Sequence, residues 1–422
     1  MYYQKKLSNK VKLITVPLKG VKTTTVLVMI GTGSKYENRN NNGISHFLEH
    51  MFFKGTQKRP DTMSISGELD SMGAEFNAFT DKECTGYWVK VDSAKKEKAV
   101  EIVSDMLMNS KFSQEEIDRE KGVIIEEKNM YKNNPMMKID DVFEECLYGD
   151  TPAGWNIVGT EKNIKNFKRK DFLDYFSSQY GAENTVICFC GNISPEESEK
   201  IAKKYFKNFQ KAKTKDKEAV VEKQKNPKIK LDYKDVEQIN LSLGVRTCPI
   251  NHPDEKVVKL ISTILGGSMS SRLFIQLRER NGLAYYVRNS PAFYTDSGYL
   301  TTEAGVPKNK LNQSIKIILE EYKRIRDELV GEEELQKNKD LIKGRTMIQL
   351  ESSDRVATWY GRQGIFRKEL SDWKDFIDSI NKITVDDIKR VSEEIFVNKG
   401  LNLALIGPYK KSEYFKEKLK LS

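Results

Sequence analysis

The sequence predicts an α+β protein, layered like an α/β sandwich, made of two homologous domains of mixed β-sheet and helices. Three observations predict it. Strand-like and helix-like stretches alternate along the chain, three anchors recur about 217 residues apart, and a charged segment separates the copies.

Taken in order, Thr23–Ile30 is β-branched and apolar, the composition of a strand. Gly43–Phe53 reads as a helix opened by Asn42 or Gly43. Cys84–Val91 is rich in aromatic and β-branched residues and reads as a strand. Ala94–Met108 and Gln114–Met130 carry helical periodicity, and Ser113-Gln-Glu-Glu resembles a capping box at the start of the second. Val186–Cys190 reads as a short buried strand ending at Gly191, with Cys188 and Cys190 on one side of it as core residues. The anchors pair Ile44–His50 with Ile261–Gly267, Ser113–Ile117 with Gly331–Leu335, and Thr185–Gly191 with Leu401–Gly407, at offsets of 217, 218 and 216. Lys211–Lys228 is charged, lacks aromatics and reads as an exposed linker. The predicted division is therefore a first domain over 1–210, a linker over 211–228 and a second domain over 229–422.

Composition narrows the function. The 422 residues are 38% hydrophobic and 31% charged, with a mean hydropathy of −0.60, enough for more than one core. No run of about 18 apolar residues exists, so no membrane-spanning helix is predicted. Met1-Tyr-Tyr-Gln-Lys-Lys leads into no apolar stretch, so no secretory signal is expected. Five cysteines, an odd and sparse set, predict a reducing, cytoplasmic setting. The net charge of +10 comes from lysines spread along the whole chain, without zinc-finger spacing or a base-reading helix, so nucleic-acid binding is not predicted.

Histidine is scarce, with three in the chain: His46, His50 and His252. His252, in Asn-His-Pro-Asp, reads as a turn or helix-start residue. His46 and His50 lie four apart, on one face of a helix, where both imidazoles can reach one ion. Glu49, just before the second histidine, can touch a water on that ion. H-x-x-E-H inverts the order of H-E-x-x-H with the same parts. With three histidines and 61 acids in 422 residues, chance produces such a pattern in roughly three chains per thousand. A catalytic zinc needs a third protein ligand and an open position. Glu120 and Glu127, seven apart, share a face of the following helix, so Glu127 can ligate while Glu120 supports a ligand from behind. Glu126 points about 100° away and reads as a surface acid. A serine or cysteine peptidase is disfavoured, because no histidine remains for a triad.

Gly31–Glu37 followed by Gly43–Thr56 (GISHFLEHMFFKGT) resembles the pitrilysin, or insulinase, superfamily of zinc peptidases. The likeness is to the short branch of bacterial processing proteases and the catalytic beta subunit of mitochondrial processing peptidase. The 76 residues between His50 and Glu127 match that family's spacing. Asn77-Ala78-Phe79-Thr80 resembles its substrate-side segment. Leu265–Phe274 and Leu277–Tyr285 resemble its second-domain signature, with Arg278 and Tyr285 seven apart. The resemblance implies two like domains closing as a clamshell around a peptide. It implies one Zn2+ per chain held by His46, His50 and Glu127, with Glu49 as general base. Glu120 would lie behind the ligands, Arg278 and Tyr285 would meet the substrate or the oxyanion, and Asn77, Ala78 and Thr80 would bind peptide. A homodimer is expected. In the second half, Thr263, Gly266, Gly267 and Arg345 stand where His46, Glu49, His50 and Glu127 stand in the first, so only one copy carries the donors. The competing expectation is a non-catalytic scaffold or regulatory subunit of the same fold; a basic binding module ranks last.

Overall fold

The computed structural model of the chain describes residues 1–212 and 214–421. The first copy runs β1 (Tyr3–Lys6), β2 (Lys12–Pro17), β3 (Thr23–Ile30), α1 (Ile44–Met51), α2 (Thr62–Asp70), β4 (Glu75–Thr80) and β5 (Thr85–Asp92). It continues with α3 (Lys96–Asn109), α4 (Gln114–Asn133), α5 (Pro135–Tyr148), α6 (Glu161–Asn166), α7 (Arg169–Gln179), β6 (Thr185–Gly191) and α8 (Pro195–Phe206). The second copy runs β7 (Lys228–Tyr233), β8 (Gln238–Thr247), α9 (Glu255–Gly266), α10 (Arg272–Phe274), β9 (Tyr286–Phe293), β10 (Gly298–Pro307) and α11 (Leu311–Asp327). It ends with α12 (Glu332–Gln349), α13 (Ser353–Phe366), α14 (Trp373–Asn381), α15 (Val385–Ile395), β11 (Leu401–Gly407) and α16 (Glu413–Lys416). Between 211 and 228 the described residues form neither helix nor strand until Lys228 opens β7.

Each copy builds its own sheet, ordered β1-β2-β6-β3-β5-β4 in the first and β7-β11-β8-β10-β9 in the second. Without β1, order and direction coincide. β2–β6 and β7–β11 are the parallel pairs, and the other pairs are antiparallel. The fold is α+β with two homologous domains. β3, β6 and β11 read as nearly continuous apolar runs because helices cover both faces of the sheet there, and their residues are almost all buried.

The compact units do not follow a single cut in the chain. The first comprises Met1–Lys128, Asn156–Glu218 and Thr346–Asp372, and the second Asn129–Trp155, Ala219–Arg345 and Trp373–Ser422. The departure from the linear division has a mechanical cause. The long helices α4 and α12 each carry the chain out of one unit and into the other. The next helix then docks on the sheet it meets: α5 on β11, β7 and β8, and α13 on β3 and β6. Val356, Ala357 and Tyr360 of α13 share one buried cluster with Ile14, Leu27, Met29, Val186, Cys188 and Cys190. Gly364 permits this approach, since a Cβ there would lie 2.7 Å from Ile14 Cδ1 and 3.0 Å from Val186 Cγ1. In the second unit, Ile139, Val142, Phe143 and Leu147 of α5 pack in the same manner with Ala404 and Ile406. Among the described residues, no helix is long and apolar enough to cross a membrane.

Candidate metal centre

Helix α1 is held at its start by backbone geometry and one buried acid. Gly43 has φ +102°, and a Cβ there would meet Val158 O at 2.6 Å, so only glycine fits. Glu37 accepts the N–H groups of Gly43 and Ser45, each at 2.8 Å, and the Asn42 amide at 3.0 Å. These bonds satisfy donors that a helix start leaves open. Phe47 packs edge-on against Phe167 and Phe172, and Ile44, Leu48 and Met51 are buried with it. With that face committed to the core, His46 and His50 share another, their ring centroids 4.7 Å apart.

Helix α4 supplies the acid. Ile117 and Ile124 anchor it, and Glu120 and Glu127 lie on the same stripe, while Glu126 is exposed. Glu127 Oε1 lies 3.5 Å from His46 Nε2, and Oε2 lies 3.5 Å from His50 Nε2. Among the described residues, His46, His50 and Glu127 are the cluster of three whose ligand atoms all lie within 4.8 Å of one another. The spacing exceeds that of a charge-assisted hydrogen bond. It fits donors about 2.1 Å from a common tetrahedral ion, which stand about 3.4 Å apart. Charge agrees with this. Glu49, Glu120 and Glu127 bring three carboxyl groups to the two imidazoles, an acidic surrounding of the kind a divalent cation takes. Two imidazoles and a carboxylate are also a donor set suited to zinc.

The surroundings orient these groups. His50 Nδ1 is 2.9 Å from Glu120 Oε1, and Lys54 Nζ is 2.7 Å from Glu120 Oε2. Burial pushes the Glu120 carboxyl up, but hydrogen bonds from His50 and Lys54 outweigh it and hold it below its ordinary value. Glu49 receives a 2.5 Å hydrogen bond from the Thr80 hydroxyl. Burial raises the Glu49 carboxyl, opposed by Thr80 and the two imidazoles. Thr80, expected to bind peptide, thus spends its hydroxyl on Glu49. Asn77 turns its side-chain oxygen to the Ala78 N–H at 2.8 Å. Both residues lie on β4, which among the described residues pairs only with β5 and forms an edge of its sheet.

Arg278 and Tyr285 belong to the second unit. Arg278 sits in a π-helical turn over Ile275–Arg280, its guanidinium 5.1 Å from the Phe274 ring centroid. Tyr285 is 79% exposed, so its ring is not a core residue. Both line a cavity of about 990 Å³ with Glu237, Leu283, Gly305 and Lys308. At the positions equivalent to the donors, Arg345 Nη1 donates to Gly267 O at 2.7 Å. His252 accepts the Asp254 N–H at 3.1 Å, a helix-start role. Sequence reasoning assigned nothing to Lys54 or Glu37. Lys54 follows His50 by four, a spacing that could have marked it; Glu37 offered no local signal.

Residues 13–161 match the profile of the insulinase family, peptidase family M16, and residues 166–342 match that of the peptidase M16 inactive domain. A Bacillus subtilis (strain 168) protein described as an uncharacterized zinc protease, YmxG, is 34% identical over 403 residues, covering 95% of this chain and 97% of its own. This chain belongs to peptidase family M16. The M16 chain is also similar to the beta subunit of the human mitochondrial-processing peptidase, at 29% identity over 412 residues, 94% of this chain and 83% of the other. Its fold is that of a protease from Helicobacter pylori in a crystal structure, with a TM-score of 0.90, 24% identity, and coverage of 97% of this chain and 99% of the other. The inactive-domain profile falls mainly on the copy that lacks the donor residues, as the M16 duplication would lead one to expect.

Proposed function

We propose that this chain is a zinc metalloendopeptidase that hydrolyses peptides or unfolded protein segments, enclosed between its two halves as the family resemblance implies. The observation that carries the reading is the convergence of His46 Nε2, His50 Nε2 and Glu127 beside a half-buried Glu49. His46, His50 and Glu127 would hold one zinc ion. When bound there, zinc acts as a Lewis acid on a carbonyl and lowers the pKa of water toward about 7. Glu49 takes the proton from the attacking water and returns it to the leaving amine. Thr80 fixes the Glu49 carboxylate for that transfer, and burial raises its basicity.

The substrate reading rests on the open edge of β4. A peptide would add as a further strand along Asn77, Ala78 and Thr80, its main chain bonding to the sheet. Arg278 and the exposed Tyr285 would bind substrate carbonyls or the developing oxyanion. A homodimer is proposed, supported by the likeness to a subunit of the mitochondrial-processing peptidase, and light scattering of the purified chain tests it. A cytoplasmic setting is supported by five free cysteines, four of them buried.

The deciding experiment is digestion of a peptide library with and without chelator, read by mass spectrometry. Glu49→Gln should retain about one zinc per chain and lose hydrolysis by roughly 10²–10⁴-fold. An active Glu49→Gln enzyme would remove Glu49 from the role of base. Unchanged cleavage after complete metal removal would overturn the metallopeptidase reading.

A further inference from the structure

We propose that Lys54 is a positioning residue of the metal centre: by holding one oxygen of Glu120 it commits the other to His50, fixing the orientation and tautomer of that imidazole. The proposal rests on the reading of His46, His50 and Glu127 as a metal site, and it concerns a residue outside the donor set.

The two histidines are supported unequally. His46 Nδ1 is buried and without a hydrogen-bond partner. His50 Nδ1 has Glu120 Oε1 at 2.9 Å. Support from behind the ligands therefore reaches the centre through His50. A neutral imidazole carries one proton. With Nδ1–H donated to Glu120, the Nε2 lone pair faces Glu127 and the donor cluster. Were the proton on Nε2, that nitrogen would be a donor and useless as a ligand.

Glu120 can enforce this only if its carboxylate stays in place. It is 4% exposed and shares its neighbourhood with Glu127, which approaches the same imidazole from the other side. Lys54, 2.7 Å from Oε2, supplies the opposite charge and the second point of attachment. A carboxylate held at both oxygens cannot rotate. Released at one, it could turn its Oε1 away from His50. Lys54 lies one helical turn beyond His50, just past the end of α1, so its reach to α4 also ties the two helices together.

The test uses the full chain. Because it has only three histidines, ¹⁵N-histidine labelling gives a readable spectrum of ring nitrogens. In metal-free wild type, His50 should be the Nδ1–H tautomer. In Lys54→Met it should become a mixture, and zinc affinity by competition with a chelating dye should fall about 10–100-fold. Lys54→Arg should restore both. Lys54→Gln, which can still donate to Glu120, separates charge from hydrogen bonding and serves if the methionine variant does not fold by circular dichroism. Wild-type tautomer and wild-type affinity in both uncharged variants would overturn the proposal. If wild-type protein binds no zinc at micromolar concentration, the metal reading fails, while the tautomer comparison still judges Lys54 by itself.

Discussion

Glu37→Ala removes the acceptor of three donors at once, Gly43 N–H and Ser45 N–H at 2.8 Å and the Asn42 amide at 3.0 Å. All three lie at a buried helix start, and Glu37 is 4% exposed, so water does not replace it without opening the structure. Each buried donor left without an acceptor costs about 1–3 kcal/mol, or about 6 kcal/mol for three at mid-range. Against this stands the burial of the carboxyl itself. Its partners are neutral, and the nearby Tyr175 hydroxyl, bonded to Ser45 Oγ at 2.7 Å, is neutral too. Burial therefore prevails over the hydrogen bonds from Gly43, Ser45 and Asn42 and pushes Glu37 from 4.5 up to about 7. That rise of about 2.5 pH units is worth about 3 kcal/mol. The difference predicts a net loss of about 3 kcal/mol in Glu37→Ala at pH 7, or about 9 °C in melting temperature for a unit of this size. The pH dependence has a definite sign. An acid whose folded pKa is raised contributes stability that is fully present below about pH 4.5 and is lost as pH rises through 7. Melting of metal-free wild type and Glu37→Gln, followed by differential scanning fluorimetry from pH 4.5 to 8, should show the wild-type advantage shrinking as pH rises. A Glu37→Ala protein melting within 2 °C of wild type at pH 7, or an advantage that grows with pH, would refute the assignment.

Two further substitutions test the frame around the site. Arg59 is 1% exposed and donates to Glu68, Glu101 and Asp105. Arg59→Met should cost about 3–5 kcal/mol in urea denaturation, because it takes the guanidinium from the buried Asp105 and the half-buried Glu101; a loss under 1 kcal/mol would show that the acids are held well enough by Lys58, Lys98 and Thr56. Gly364→Val should destabilise by about 1–3 kcal/mol by forcing α13 away from Ile14 and Val186, and an unchanged melting temperature would show that the sheet yields instead.

The convergence of His46, His50 and Glu127 was legible because helical phase is a strong rule. His46 and His50 share a face by spacing alone, and the choice of Glu127 over Glu126 follows from seven residues being two turns. The duplicated sheets were legible for a related reason: anchors at one offset imply one topology twice. The exchange of α5 and α13 was not. An amphipathic helix states that it needs a sheet without stating which, and the decision lies in where α4 and α12 deliver the chain. Lys54, and the bond from Thr80 to Glu49, were obscure for a different reason. A lysine past a helix end reads as solvent-facing, and Thr80 was expected from the family resemblance to bind peptide; only the approach of α4 and of β4 to α1 gives them Glu120 and Glu49 as partners.

The duplication also explains why the two copies differ electrostatically. In the first, the carboxyl groups of Glu49, Glu120 and Glu127 gather around two imidazoles, the arrangement proposed above to take a dication. In the second, Thr263 and Gly267 stand at the two histidine positions and Gly266 at that of Glu49, and Arg345 replaces the acid with a permanent cation bonded to the Gly267 carbonyl. An arginine cannot lose its charge at any accessible pH. Restoring histidines at 263 and 267 would therefore leave a fixed positive charge where a carboxylate is required, and such a double variant should bind no zinc until Arg345 is also changed to glutamate. Stoichiometry by elemental analysis decides it: a second equivalent appearing with Arg345 intact would mean that charge does not govern which copy holds metal.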